Sequence, residues 1–309
     1  MYRRLSDYLG PDQPIFGIQP QGLDGNETPI DRIQEMAALY IQKMREQQPE
    51  GPYFLAGLSS GGVIAFEMAQ LLRAQGQKVA LLVLMEAFGP GYPKLMPVIP
   101  RLMALLPFMT VQFPKRALVR ISRLVQRGAK RGAKSAQAAS DLSFEAELLT
   151  KEQIETQIQR GATASKPESV APKNRSLASR LDSLSLQIYK YSPWAFIFPR
   201  LSLASGHSLP NNHLQQIQEA NIKAMLAYRP EVYPGQLVLF RASHQPPGCY
   251  ADSTLGWGQV VTGGIEAFDV PGFHGERLLY TPKSLQVLGT QLKACLVKAQ
   301  QAVENPNQP

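Results

Sequence analysis

Residues 51–72 read GPYFLAGLSSGGVIAFEMAQLL, and the order of residue types in this stretch decides the architecture. Residues 53–56 form a short apolar run of strand length, 57–62 a glycine-rich turn, and 63–74 an apolar-periodic segment of helical spacing. Gly57-Leu58-Ser59-Ser60-Gly61 fits the G-x-S-x-G pattern of a nucleophile elbow. The five residues alone are common enough to arise by chance. Their weight comes from lying between a strand and a helix. Glycines allow a strained turn that lifts the Ser59 hydroxyl above a sheet edge, and they keep Cβ atoms away from the adjoining strand and helix. The helix start aims backbone N–H groups at developing negative charge, which makes the Ser60 amide a candidate oxyanion donor. The competing reading, a phosphate cradle, lacks the lysine that such loops place next.

Outward from the elbow, residues 78–85 (KVALLVLM) are almost continuously apolar, as in a parallel strand buried on both faces. Gly76 stands where the preceding helix should close. Upstream, 15–19 reads as a short strand between Pro14 and Pro20, 20–27 as a loop, and 31–48 as a helix capped by Asp31. Regularity breaks at 87–100, rich in proline and glycine; helical patterns resume from Leu177, the clearest of them at 213–228. Strands are expected at 236–241 and 264–270, and a last helix at 281–299 with Pro282 in its first turn. The fold class is therefore α/β: a mostly parallel sheet of α/β-hydrolase type, helices on both faces, and a long inserted helical lid. The core should comprise 1–87 and 229–300, the lid 88–228 with low-complexity sequence around 135–175, and 301–309 a frayed tail.

Composition narrows the function classes. The formal charge is +8, yet nine Lys/Arg and no Asp/Glu fall between Arg101 and Lys134, without which the chain is close to neutral. The basicity is local, no nucleic-acid motif accompanies it, and nucleic acid is not an expected partner. No apolar run is long enough to span a bilayer, and the first residues do not read as a secretory signal. Cys249 and Cys295 make neither a disulfide framework nor a metal-ligand pattern, so no metal is expected and a cytoplasmic setting fits best.

A serine nucleophile needs a base, and there are four histidines. His207 and His213 lie in the excursion, and His244 follows the strand 236–241. His274, in DVPGFHGERL directly after a late strand, occupies the place the order Ser…acid…His reserves for the base. Two carboxylates compete to orient it. Glu86 closes the apolar strand 78–85 at the sheet edge where α/β sites lie; Asp252 follows the strand LVLFRA. The first is favoured and the second kept as the alternative acid.

At these residues the sequence resembles the thioesterase domains of nonribosomal peptide and polyketide synthases. The resemblance is carried by GLDG (22–25), the block from GPYFLAGLSSGG onward, Glu86 followed by GPGYP, YPGQLVLFRA (233–242), DSTLGW from Asp252, and VPGFHG around His274. It implies Ser59, Glu86 and His274 as nucleophile, acid and base. It also implies no bound cofactor, and a substrate chain carried on the phosphopantetheine of an acyl or peptidyl carrier protein. Glu86 stands where the family usually has Asp, and Leu58 where an aromatic or histidine is frequent. The family also begins with a strand and a glycine-rich loop, the source of its second oxyanion N–H, upstream of a helix resembling YRRLSDYLG; this chain starts inside that helix, so either the true start lies upstream or the chain is a fragment or a degenerate copy. A general carboxylesterase and a non-catalytic carrier-binding module are the runner-up readings. The basic stretch Lys115–Lys134 reads first as a solvated helix face, next as a surface for an acidic carrier, and least as a membrane-surface helix.

Overall fold

The computed structural model describes residues 2–112, 213–273, 279 and 281–305. In chain order the elements are α1 (Arg3–Leu9), α2 (Ile33–Arg45), β1 (Tyr53–Leu58), α3 (Ser60–Ala74), β2 (Val79–Met85), α4 (Val98–Gln112), α5 (His213–Ala227), β3 (Leu237–His244), β4 (Ile265–Phe273) and α6 (Pro282–Glu304). All of these except α4 lie in one compact unit; α4 belongs to a second, Pro97–Ile188. The four strands form one sheet in the order β1-β2-β3-β4, and every pair is parallel. Parallel neighbours need crossover connections, and α3 supplies the one from β1 to β2.

Side chains alternate across the sheet with the two-residue period of a strand. Tyr53, Leu55, Leu82, Leu84, Leu237 and Leu239 face one way and pack with α2, α3 and Ala224 of α5. Leu81, Val83, Met85, Val238 and Phe240 face the other, against Leu5 and Leu9 of α1 and Leu285, Leu288 and Leu292 of α6. With helices on both faces, β2 is covered above and below, which is why its sequence has no polar alternation. This is a parallel α/β sheet with helices on both faces, as the elbow sequence implied.

The helix stops follow local chemistry. Gly76, at φ 73°, ends α3 in a Schellman turn: its N–H bonds Arg73 O, and the Gln77 N–H reaches back to Leu72 O at 2.9 Å. Pro282 is the first residue of α6. On α3 the buried Glu67 accepts a 2.6 Å hydrogen bond from the Tyr228 hydroxyl, which ties the end of the α5 segment to the helix that follows Ser59. Burial raises the pKa of Glu67 above the usual carboxylate range, the Tyr228 bond only partly opposing it.

Several boundaries differ from expectation. Residues 15–19 are not a strand: no described strand pairs with them, and Phe16 is 75% exposed. A strand exists only when a neighbour completes its ladder, and apolar composition between two prolines cannot supply one. Asp31 does not cap α2. The N-cap position is Arg32, which makes no side-chain capping bond, and the Asp31 carboxylate pairs with Lys223 of α5 instead. The sheet strand expected to stop before Pro271 continues to Phe273, because β4 ends the described sheet and an edge strand tolerates a residue without an N–H. The α5 helix, expected within the lid, packs with α2 and α3 in the unit that holds the sheet. The tail holds helix to Glu304, with 306–309 outside the described residues. The low-complexity and basic segments, including Lys115–Lys134, also lie outside them.

Candidate active site

The site lies at the carboxyl ends of the strands. The β1–β2 register pairs Leu58 with Met85, and the ladder runs one step further as the Ser59 N–H bonds Met85 O at 2.9 Å. The next strand does the same, the Glu86 N–H donating to Phe240 O at 2.7 Å. Ser59 and Glu86 are thus the residues at which two adjacent strands leave the sheet. Both do so in the left-handed region, at φ 52° and 48°. For residues with a Cβ this conformation is strained, on the order of 1–3 kcal/mol each, and it persists only where the surroundings impose it.

What imposes it at Ser59 is the approach of strand and helix. A Cβ on Gly57 would stand 2.2 Å from Gly61 O, and one on Gly62 would stand 2.6 Å from the Ala87 Cβ. The second glycine of the G-x-S-x-G pattern is the roomier position: a Cβ on Gly61 meets only the Tyr2 hydroxyl, at 3.7 Å. Gly62→Ala is therefore expected to cost about 1–3 kcal/mol of stability by overpacking. Gly61→Ala should be neutral or gain up to about 1 kcal/mol from helix propensity. Thermal melting of the two variants checks the order.

Ser59 holds the N-cap position of α3, a place where serine usually ties its oxygen to a helix amide, yet it makes no such bond. The positive φ turns the hydroxyl out of capping geometry. The amides of Ser60 and Gly61 belong to the first turn of α3, where backbone N–H groups have no intrahelical acceptor. On the outer side of the turn, the Leu58 N–H donates to the Tyr2 hydroxyl oxygen at 2.9 Å. Burial raises the Tyr2 pKa, with the Leu58 bond acting the other way. No motif pointed to Tyr2; its place became visible only when α1 and β1 were brought together.

Glu86 is fully buried. Its Oε1 accepts from the Ala242 N–H, and the Gln245 Nε2 stands 3.4 Å from the same oxygen. Both partners come from β3 and its exit. Asp252, the alternative acid, has its carboxylate engaged elsewhere. Oδ1 accepts from the Thr254 N–H at 2.8 Å and its hydroxyl at 2.7 Å, and Oδ2 from the Gly256 N–H at 2.9 Å. Burial works to raise its pKa, but the bonds from Thr254 and Gly256 outweigh it and hold the carboxyl below its usual value. The turn so fastened delivers Trp257, fully buried against Phe66, whose indole N–H donates to Ala87 O at 2.8 Å. Asp252 thus builds a support beneath the strand end that carries Glu86.

His274 lies outside the described residues, but the strand leading to it is defined. The β3–β4 register slips between Ala242 and His244, two residues on β3 facing three on β4, so a bulge at Pro271-Gly272 turns the chain just before it reaches position 274. Gly272 takes φ 129° there, and its O lies 3.1 Å from His244 Nδ1. Ser59, Ser60 and Glu86 are brought to one edge; His244 reaches the same edge with its ring on Gly272, and Asp252 is held in its own turn. His207 lies outside the described residues, and His213 opens α5 beside Gly25.

Residues 1–92 match the family model of the thioesterase domain. The chain is 45% identical over 82 residues to malpinin synthetase of Mortierella alpina, covering 26% of this chain and 1% of that protein. To indigoidine synthase of Dickeya dadantii it is 46% identical over 93 residues, covering 30% and 6%. The chain therefore spans only a small fraction of the length of these relatives. Against the solved structure of the RedJ thioesterase from the prodiginine pathway of Streptomyces coelicolor, the overlay covers 95% of this chain and 83% of that one, with 15% identity and a TM-score of 0.49. Among the described residues no helix is long and apolar enough to cross a membrane.

Proposed function

We propose that this chain, whose residues 1–92 match the thioesterase-domain family model, is a serine thioesterase that releases acyl or peptidyl chains from the phosphopantetheine arm of a carrier protein. The observation that carries the reading is Ser59: a strained residue at a strand-to-helix turn, its hydroxyl not tied to the helix, one strand away from the buried carboxylate of Glu86. Such strain is found where a structure holds a reactive group in place. That the similar proteins are synthetases and synthases supports a carrier-bound substrate for this chain too.

In this mechanism His274 takes the Ser59 proton as the oxygen attacks the thioester carbonyl. Glu86 orients the imidazole and stabilises its cation. The Ser60 N–H, at the positive end of α3, holds the oxyanion. Collapse of the tetrahedral intermediate expels the thiolate of the pantetheine arm, which takes the proton from His274. Water, or an amine or hydroxyl of the chain itself, then attacks the acyl-enzyme with His274 again as base, returning the proton to Ser59. Each half-reaction balances without a metal or redox partner. Asp252 serves the turn that supports Trp257, which favours Glu86 as the acid.

The test compares kcat/KM for an acyl chain on a carrier protein with that for a simple ester of the same acyl group. The thioester should be preferred by at least about tenfold, since remote contacts to the carrier lower the barrier only when the carrier is present. Equal rates would indicate a general carboxylesterase. Binding of the carrier with no turnover of either substrate would indicate a non-catalytic module.

A further inference from the structure

Beyond the three residues of the proposed triad, a chain of polar side chains runs behind Glu86. The Tyr92 hydroxyl donates to Gln245 Oε1 at 3.1 Å. The Gln245 Nε2 donates to Ala242 O at 2.7 Å and stands 3.4 Å from Glu86 Oε1. The amide orientation is dictated by its neighbours: turned over, Gln245 would set its oxygen against two acceptors, Ala242 O and the Glu86 carboxylate, and its NH2 against a hydroxyl that donates. Burial, followed by the nearby Cys249, Glu86 and Asp252, raises the Tyr92 pKa, so the phenol stays a neutral donor through the working pH range.

We propose that Gln245, oriented by Tyr92, is a positioning residue for the catalytic acid: by anchoring Oε1 of Glu86 together with the Ala242 N–H, it aims Oε2 at the imidazole of the base. This rests on the reading of Glu86 as the acid. The physical need arises from the side chain itself. A glutamate has one more rotatable bond than an aspartate, and a carboxylate meant to fix an imidazole must itself be fixed. Two donors on one oxygen remove that freedom, because rotating the carboxyl would break both bonds. Ala242 lies in β3 and Gln245 is the first residue beyond it, so both donors are placed by the strand that neighbours β2. Motif reading had no means of finding Gln245, which belongs to no catalytic pattern; Tyr92 stands within GPGYP, a segment of the resemblance that assigned it no role.

The experiment is a double-mutant cycle on thioester hydrolysis, with an acyl N-acetylcysteamine thioester as substrate and thermal melting as a check on folding. Gln245→Met keeps the volume and removes the donors. It should lower kcat about tenfold with KM within about twofold, and move the acid limb of the pH profile of kcat/KM to lower pH, since a misaimed carboxylate stabilises the imidazolium less. In a Glu86→Gln background the same substitution should cost less than about twofold, because a residue that acts through Glu86 has nothing left to position. Tyr92→Phe, which leaves the amide in place but frees its rotation, should cost a smaller factor in kcat with the same direction of pH shift, and it decides the matter should Gln245→Met fail to fold. A Gln245→Met effect that is equally large in both backgrounds, or no effect on kcat and pH profile in either variant, overturns the proposal. Full activity of Glu86→Gln alone would overturn the reading of the acid instead, and the two failures are told apart by that single variant.

Discussion

Ser59→Ala is expected to abolish labelling by a fluorophosphonate probe and to reduce thioester turnover by about 10⁶-fold, with the fold retained. The hydroxyl makes no helix-capping bond, so its loss should remove nothing that holds α3 in place. The φ of 52° persists in alanine, because the crowding at Gly57 and Gly62 that enforces it is unchanged. A second variant reads that strain directly. Ser59→Gly relieves the left-handed penalty and should raise stability by about 1 kcal/mol while being equally inactive. Labelling at full stoichiometry in Ser59→Ala would show that another residue is the nucleophile. A melting temperature for Ser59→Gly below that of the parent would show that the turn is not strained in the protein.

The second large effect separates the two carboxylates. Glu86→Gln should lower kcat by about 10⁴-fold with little change in KM, because a neutral amide no longer sets the histidine tautomer or stabilises its cation. The glutamine oxygen can still accept from the Ala242 N–H, so the loss should be chemical and not a loss of folding. Asp252→Asn should do the reverse. Its three accepted bonds build the Thr254–Trp257 turn, and an amide donor facing the Gly256 or Thr254 N–H leaves one of them without an acceptor. The expected cost is about 1–3 kcal/mol in stability and less than tenfold in kcat. Its pKa is depressed in the folded state, so its contribution is present above the ordinary carboxyl pKa and fades as pH falls through the folded value. The stability gap between parent and Asp252→Asn should therefore narrow in acid. A larger kcat loss in Asp252→Asn than in Glu86→Gln would transfer the acid's role to the later loop.

Much of the framework was legible because it rests on local rules. Continuous apolar sequence marked β2, glycine marked the turn and the end of α3, and Pro282 marked the start of α6. The elbow could be read because the motif sets two glycines at fixed offsets from one serine, though Gly62, outside the motif, is more crowded than Gly61 within it. What failed was decided by distant neighbours. Residues 15–19 have strand composition but no ladder partner among the described residues, and Asp31 has cap chemistry but meets Lys223. The choice between Glu86 and Asp252 was open in the sequence for the same reason: both carboxylates sit near strand ends, and only their hydrogen-bond partners differ. Gln245 carried no signal and Tyr92, though within GPGYP, no assigned role, because an amide and a phenol acquire a role here only through what they touch.

The clamp on Glu86 has a consequence for how the protein is made. Ala242 lies 156 residues after the carboxylate it holds, and β3 comes from a similarly distant part of the chain to pair with β2. During synthesis at about 5–20 residues per second, roughly ten to thirty seconds pass between the emergence of Glu86 and of its partners. In that interval β1, α3 and β2 can assemble by short-range pairing, while the far edge of β2 waits for a strand whose docking must close a very long loop. A carboxylate without those donors stays in water rather than sealing into the sheet edge. The serine turn is thus completed early and the anchor of Glu86 late. A nascent chain therefore carries its serine turn before the donors that fix Glu86 exist, until the last third of the sequence has folded back onto the first.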